Sequence, residues 1–171
     1  FSGVAAHPSK APEQGRNALL AAASATVHLH GISRHGKGVT AVNVGFLQGG
    51  IGRNAVPDKA VLKLETRGAS TEINDFLRKE AIRIIQGAAL TQDVKVVIRE
   101  MGSAAGGSNS PELARRLEDI ARETGIFADI IPYVGLLASE DCTYFMEQVQ
   151  KRGGQAAFIA IGADLTTGHH E

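Results

Sequence analysis

The chain has 171 residues, 43% of them hydrophobic, and its 18 Lys+Arg balance 18 Asp+Glu. Zero net charge without a local Lys/Arg block leaves no electrostatic footprint for nucleic acid or an anionic membrane. A single cysteine cannot close an intrachain disulfide, and no apolar run approaches the roughly 20 residues that cross a bilayer.

The composition is that of a soluble, cytoplasmic protein. Aromatics make up 5% with no Trp, while there are twenty glycines, so close backbone packing is expected in place of a core of large rings. The opening Phe1-Ser2-Gly3-Val4, without an initiator Met, and the polar end His169-His170-Glu171 read as a segment of something larger.

A short apolar start over residues 2–6 is expected to be a strand, followed by the turn-rich His7-Pro8-Ser9-Lys10-Ala11-Pro12, whose two prolines exclude helix. Residues 16–30 predict an alanine-rich helix with Leu20, Ala23 and Val27 on its packing face and Gly31 as its stop. Over residues 40–47, Val42, Val44 and Phe46 alternate with Asn43 and Gly45, a strand with one buried face. The connection through Gly49-Gly50-Ile51-Gly52-Arg53-Asn54 needs a positive φ. The next strand, 59–67, places Ala60, Leu62, Leu64 and Thr66 inward and Val61, Lys63, Glu65 and Arg67 outward.

Ser70 can cap a helix whose Ile73, Phe76, Leu77, Ala81, Ile84 and Ala88 recur at helical steps. A strand over 93–101 completes the series. The order predicts an α+β lid of the α/β class: a four-stranded antiparallel split-βαβ, ferredoxin-like sheet with two helices on one face. This first domain spans residues 1–101.

The linker-like Gly102-Ser103-Ala104-Ala105-Gly106-Gly107-Ser108-Asn109 marks the boundary. Beyond it Ser110-Pro111-Glu112 opens a helix stopped by Gly125, and Ser139-Glu140-Asp141 opens another stopped near Gly153. Residues 156–161 are continuously apolar, as in a strand covered on both faces. Residues 102–171 are therefore expected to form part of a second, incomplete α/β domain.

Each candidate for chemistry has a plain structural reading beside it. His28 and His30 lie two apart at a helix end, so they face different directions, and His35 sits in a glycine-flanked turn; solvated, dipole-compensating positions explain them. His169-His170 follows the apolar segment and a small polar loop, a location where open α/β sheets keep ligand sites, although termini are also often mobile. The Gly49–Gly52 run lacks the Lys-Ser/Thr and the helix of a phosphate loop. Cys142 reads as core. Arg67 beside Glu65 reads as a surface ion pair, and Ser139-Glu140-Asp141 as a helix cap with two acids.

A frame relates these distant segments. The run Gly3-Val4-Ala5-Ala6-His7-Pro8-Ser9, then Asn17-Ala18-Leu19, Asn43-Val44-Gly45, Gly49-Gly50-x-Gly52-Arg53-Asn54-Ala55-Val56-Pro57-Asp58-x-Ala60 and Glu65-Thr66-Arg67-Gly68 resembles the lid of the two-metal aminoacylase and carboxypeptidase family. Ser139-Glu140-Asp141, the apolar segment and the His170 terminus resemble the returning part of that family's catalytic domain. Within the family, Gly31-Ile32-Ser33-Arg34-His35 is similar to the amidohydrolases that cleave p-aminobenzoyl-glutamate and other N-acyl amino acids.

The resemblance implies roles position by position. His7 is similar to the lid histidine that donates to the oxyanion in the partner subunit of a homodimer. Asn54 is similar to the asparagine that binds the substrate's carboxyl end or the oxyanion region, and Arg67 to the arginine that pairs with a substrate carboxylate. Ser139 matches a small polar position near that carboxylate. His170 matches the last metal ligand, with His169 as the other candidate. The implied cofactors are two divalent ions, Zn or Mn, and the implied substrate a small N-acyl amino acid or dipeptide. The family's His-x-Asp motif and Glu-Glu pair do not occur in this sequence, so the chain alone is expected to dimerise without catalysing. The rival expectation is a non-catalytic ferredoxin-like module that binds a partner or small ligand.

Overall fold

A computed structural model of the chain describes residues 1–104, 106–132 and 141–162. The chain divides into two compact units, Phe1–Gly106 and Gly107–Glu171. In the first, helix α1 (Ala18–His30) and helix α2 (Thr71–Thr91) bracket an antiparallel pair, β1 (Thr40–Gly49) and β2 (Ala60–Gly68).

Helix α1 starts where the Asn17 side chain accepts the backbone N–H of Leu20 (2.8 Å), a cap that contributes about 1 kcal/mol. It ends at Gly31, as the sequence predicts. The buried face differs from the expected one. Ala18, Ala21, Ala22, Ala25 and Leu29 are sealed, whereas Leu20 is 51% and Val27 72% exposed. Apolar residues occur on every side of the helix, so hydrophobicity alone does not choose the face; the sheet selects the side whose methyl groups permit closest approach.

Helix α2 is capped by Ser70 Oγ, which accepts from the Ile73 N–H, and buries Ile73, Leu77, Ala81, Ile85, Ala88 and Ala89. One core cluster joins the two helices to the sheet: Ala25 and Leu29 from α1 and Ala81, Ile85 and Ala88 from α2, with Val42, Val44, Leu62 and Leu64 packed against it. Both helices therefore lie on one face of β1–β2. Inward and outward residues of β2 alternate as the sequence predicts.

In β1 the alternation breaks. The register shifts between Val44, opposite Leu64, and Phe46, opposite Lys63, leaving Gly45 as the extra residue of a bulge. Phe46 is thereby turned out of the core and is 39% exposed, with the Lys63 ammonium 4.9 Å from its ring centroid.

The expected four-stranded sheet is not observed: among the described residues the sheet has two strands. The outer two segments form isolated bridges, Ser2 with Lys59 and with Lys95, and Val4 with Arg16. The reason lies in the hydrogen bonding. The Val4 N–H turns away from β2 to the Arg16 carbonyl (3.0 Å), and Gly3 lies so close that a Cβ there would sit 1.9 Å from the Arg16 oxygen. After Lys95 the described residues carry no further ladder, and Val97 is 76% exposed.

The second unit contains helix α3 (Pro111–Thr124) and helix α4 (Cys142–Lys151). Gly125 at φ 61° and Gly153 at φ 81° follow the two helix ends in the left-handed conformation expected of a glycine stop. Ser110 does not cap α3; its Oγ accepts from the Ala156 N–H (3.1 Å) and from Gln150 Nε2 (3.2 Å). The predicted strand over 156–161 is not a strand. Besides the Ser110 Oγ, its described backbone partners are the Ser110 N–H, bonded to the Ala156 carbonyl, and the Asn109 amide, whose Oδ1 accepts from the Phe158 N–H (2.7 Å) while Nδ2 donates to the Phe158 carbonyl (2.9 Å). One side-chain amide replaces one rung of a ladder and cannot propagate it.

Candidate functional site

His7 opens a turn whose geometry the His-Pro-Ser sequence dictates. Pro8 fixes φ near −65°, and the chain folds back so that the Ser9 N–H donates to His7 Nδ1 (3.2 Å). The His7 carbonyl accepts from the N–H groups of Lys10 (3.2 Å) and Ala11 (3.1 Å). A neutral imidazole whose Nδ1 accepts carries its proton on Nε2. His7 is exposed, so the turn presents an Nε2–H donor outward. The sequence signal for this hold on the ring is the proline immediately after the histidine.

Asn54 lies in the exposed connection between the strands. Gly50, at φ 80°, supplies the positive φ that the connection requires. Backbone bonds anchor the connection, among them the Val56 N–H to the Ala6 carbonyl (2.9 Å), the Ala18 N–H to the Pro57 carbonyl (2.8 Å) and the Gly3 N–H to the Asp58 carbonyl (2.7 Å). The first ties the Asn54 connection to the residue preceding His7.

Arg67 lies elsewhere. It is near the far end of β2, seven residues from Ala60, or about 23 Å at the rise of a strand. It occupies the open sheet face, where Nε–H donates to Glu65 Oε1 (3.1 Å) and Nη2–H to Oε2 (3.2 Å). The ion pair expected from the sequence is present. The three lid candidates thus divide between the connection that precedes β2, with His7 and Asn54, and the far end of β2, with Arg67.

Ser139, His169 and His170 lie outside the described residues. Among the described residues no group of three or more His, Cys, Asp or Glu could hold a metal ion. Two of the internal histidines make contacts of their own. His28 Nδ1 lies 2.8 Å from the Ser24 carbonyl, and His35 stands edge-on to the Phe76 ring, 5.3 Å between centroids. Cys142 is half-buried. A cleft of about 230 Å³ at the C-terminal end of α1, lined by Leu29, His30, Arg34, Thr40, Val42 and Leu77 among others, contains none of the lid candidates. Among the described residues no helix is long and apolar enough to cross a membrane.

Residues 1–93, which hold both helices and both strands of the first unit, match the family model described as the peptidase dimerisation domain. The chain belongs to this family. Over 171 residues it is 46% identical to one of the subunits of the p-aminobenzoyl-glutamate hydrolase of Escherichia coli, covering 99% of this chain and 39% of that protein. It is 44% identical to the indole-3-acetyl-aspartic acid hydrolase of Enterobacter agglomerans, with the same coverage of each. Among solved structures, the aminobenzoyl-glutamate utilization protein of Klebsiella pneumoniae superposes with a TM-score of 0.80 at 42% identity, over 91% of this chain and 40% of that one. The chain therefore spans about two fifths of the length of the relatives it matches.

Proposed function

We propose that this chain is the lid and part of the catalytic domain of a metal-dependent amidohydrolase that cleaves the amide bond of N-acyl or p-aminobenzoyl amino acids. Residues 1–101 form the lid, which dimerises with a second copy, and residues 102–171 return to the catalytic domain. The setting is cytoplasmic. The observation that carries the reading is the identity of 44–46% along almost the whole chain with two hydrolases whose names specify amides between an aromatic acyl group and an acidic amino acid. A substrate of that class offers carboxylates to Arg67.

His7 is assigned to donate Nε2–H to the oxyanion in the partner subunit's site, a task for a preorganised donor. The bond from Ser9 to Nδ1 supports this by fixing the tautomer. Asn54, on the connection tied to the same end, binds the substrate's carboxyl end or the oxyanion region. The separation of Arg67 from both supports their serving different sites of a dimer. Ser139 approaches the substrate carboxylate, and His170 or His169 is a metal ligand. Two divalent ions, Zn or Mn, would supply an activated water and a Lewis acid. The described residues do not form their ligand set.

The test is made on the full-length polypeptide that carries this chain. It should bind divalent metal, hydrolyse p-aminobenzoyl-glutamate and migrate as a dimer. His7→Ala should lower kcat by about 10²- to 10³-fold, the scale of a lost oxyanion donor, while metal content is kept. A change confined to KM would remove the assigned role of His7. Absence of both metal and hydrolysis would leave the interaction-module reading. The Escherichia coli relative is named as one subunit of its hydrolase, which makes assembly with a different chain the alternative to a homodimer. The mass of the purified complex decides between them.

A further inference from the structure

The open face of the β1–β2 pair shows how Arg67 is held before any substrate arrives. Glu65 and Arg67 are two residues apart on β2 and so share that face. Both oxygens of the Glu65 carboxylate meet one edge of the guanidinium, at 3.1 and 3.2 Å. This is the parallel, two-bond arrangement in which arginine recognises a free carboxylate. Across the pair, Arg67 stands opposite Ala41 and Glu65 opposite Asn43. The methyl of Ala41 leaves the guanidinium without bulk from its cross-strand neighbour. The two side chains are 43% and 55% exposed, so the pair is held in water, where such contacts are weak enough to exchange.

We propose that Glu65 is a built-in competitor: an internal carboxylate that occupies the edge of Arg67 which the substrate's carboxylate would take, and so lowers affinity at that anchor. The inference rests on the assignment of Arg67 to substrate binding. A ligand carboxylate replaces both bonds that Glu65 gives up. The exchange costs the Glu65 pair, so the pair weakens binding of a ligand that takes this edge of Arg67 by the modest factor that an exposed ion pair represents.

The experiment measures steady-state kinetics of the full-length enzyme on p-aminobenzoyl-glutamate, for the wild type, Glu65→Gln, Arg67→Met and the double variant. Glu65→Gln should lower KM for the acid by about two- to fivefold, the equivalent of an exposed ion pair, with kcat unchanged. The drop should disappear in the Arg67→Met background. Glu65→Ala, a second variant at the same exposed position, should act in the same direction. An unchanged or raised KM in Glu65→Gln, or the same drop without Arg67, overturns the proposal while leaving Arg67 as the anchor. If Arg67→Met itself leaves KM for the acid unchanged, the Arg67 assignment falls, and Glu65's role with it.

Discussion

Among the described residues, each of the two units has two α-helices, and the two units bury very different numbers of apolar residues. Of the thirteen buried apolar residues among those described, twelve belong to the first unit, and the second contributes Met146. Helix α3 buries no residue at all, and Ile126, Phe145 and Ile161 are 78%, 75% and 69% exposed. The described elements of the second unit carry apolar side chains that they do not themselves cover. Helical sequence is therefore no guide to which unit has a self-sufficient core; sheet and helices must meet, as they do in the first.

The largest expected effect tests that contrast. Leu77 is 1% exposed between helix and sheet, and Leu77→Ala should destabilise the first unit by about 2–5 kcal/mol, since the transfer and cavity costs add. Phe145→Ala removes a larger side chain from an exposed position and should change stability by less than about 0.5 kcal/mol. Urea denaturation of both variants provides the comparison. A Phe145→Ala loss as large as that of Leu77→Ala would mean that the second unit has a core of its own.

A smaller effect is expected where the second unit is held by polar contacts. Asn109 bonds twice to the backbone of Phe158, and both bonds are solvent-accessible. Asn109→Ala should cost about 0.5–1.5 kcal/mol, the net contribution of ordinary hydrogen bonds, and should speed amide exchange at Phe158 while leaving exchange in α2 unchanged. Equal acceleration in both units would show that they open together and would erase the distinction.

What the sequence made legible follows the same physics. Helices α2, α3 and α4 are announced by periodicity and by their start or stop signals, and β2 by strict alternation, because each has one face unlike the other. Helix α1 has no such contrast, so its existence was readable and its buried side was not. The Gly45 bulge was hidden because a perfect alternation through Phe46 does not record where a partner strand slips. The outer strands were predicted from local pattern, yet pairing is decided by the distant Arg16 and Lys95. At the candidate site, His7, Asn54 and Arg67 could be named by resemblance, whereas their division between two ends of β2 depends on the length of a strand.

Ion pairs along the helices do not separate the units, which gives the smallest prediction. Glu80–Arg83 on α2, Glu118–Arg122 on α3 and Glu147–Lys151 on α4 are all short-range pairs within one helix. Hydrogen bonding from Arg83 holds the Glu80 carboxyl below its ordinary range against an opposing desolvation, and the attraction of the guanidinium charge adds a smaller lowering. A carboxyl with a depressed pKa stabilises the fold above its unfolded pKa and loses that contribution as pH falls through the folded value. Arg83→Met should therefore move the Glu80 titration up toward the ordinary carboxylate range, as followed by side-chain NMR, with a barely measurable change in the unfolding midpoint because the pair is in solvent. If that variant instead unfolded the first unit at mildly acidic pH, charge as well as burial would separate it from the second.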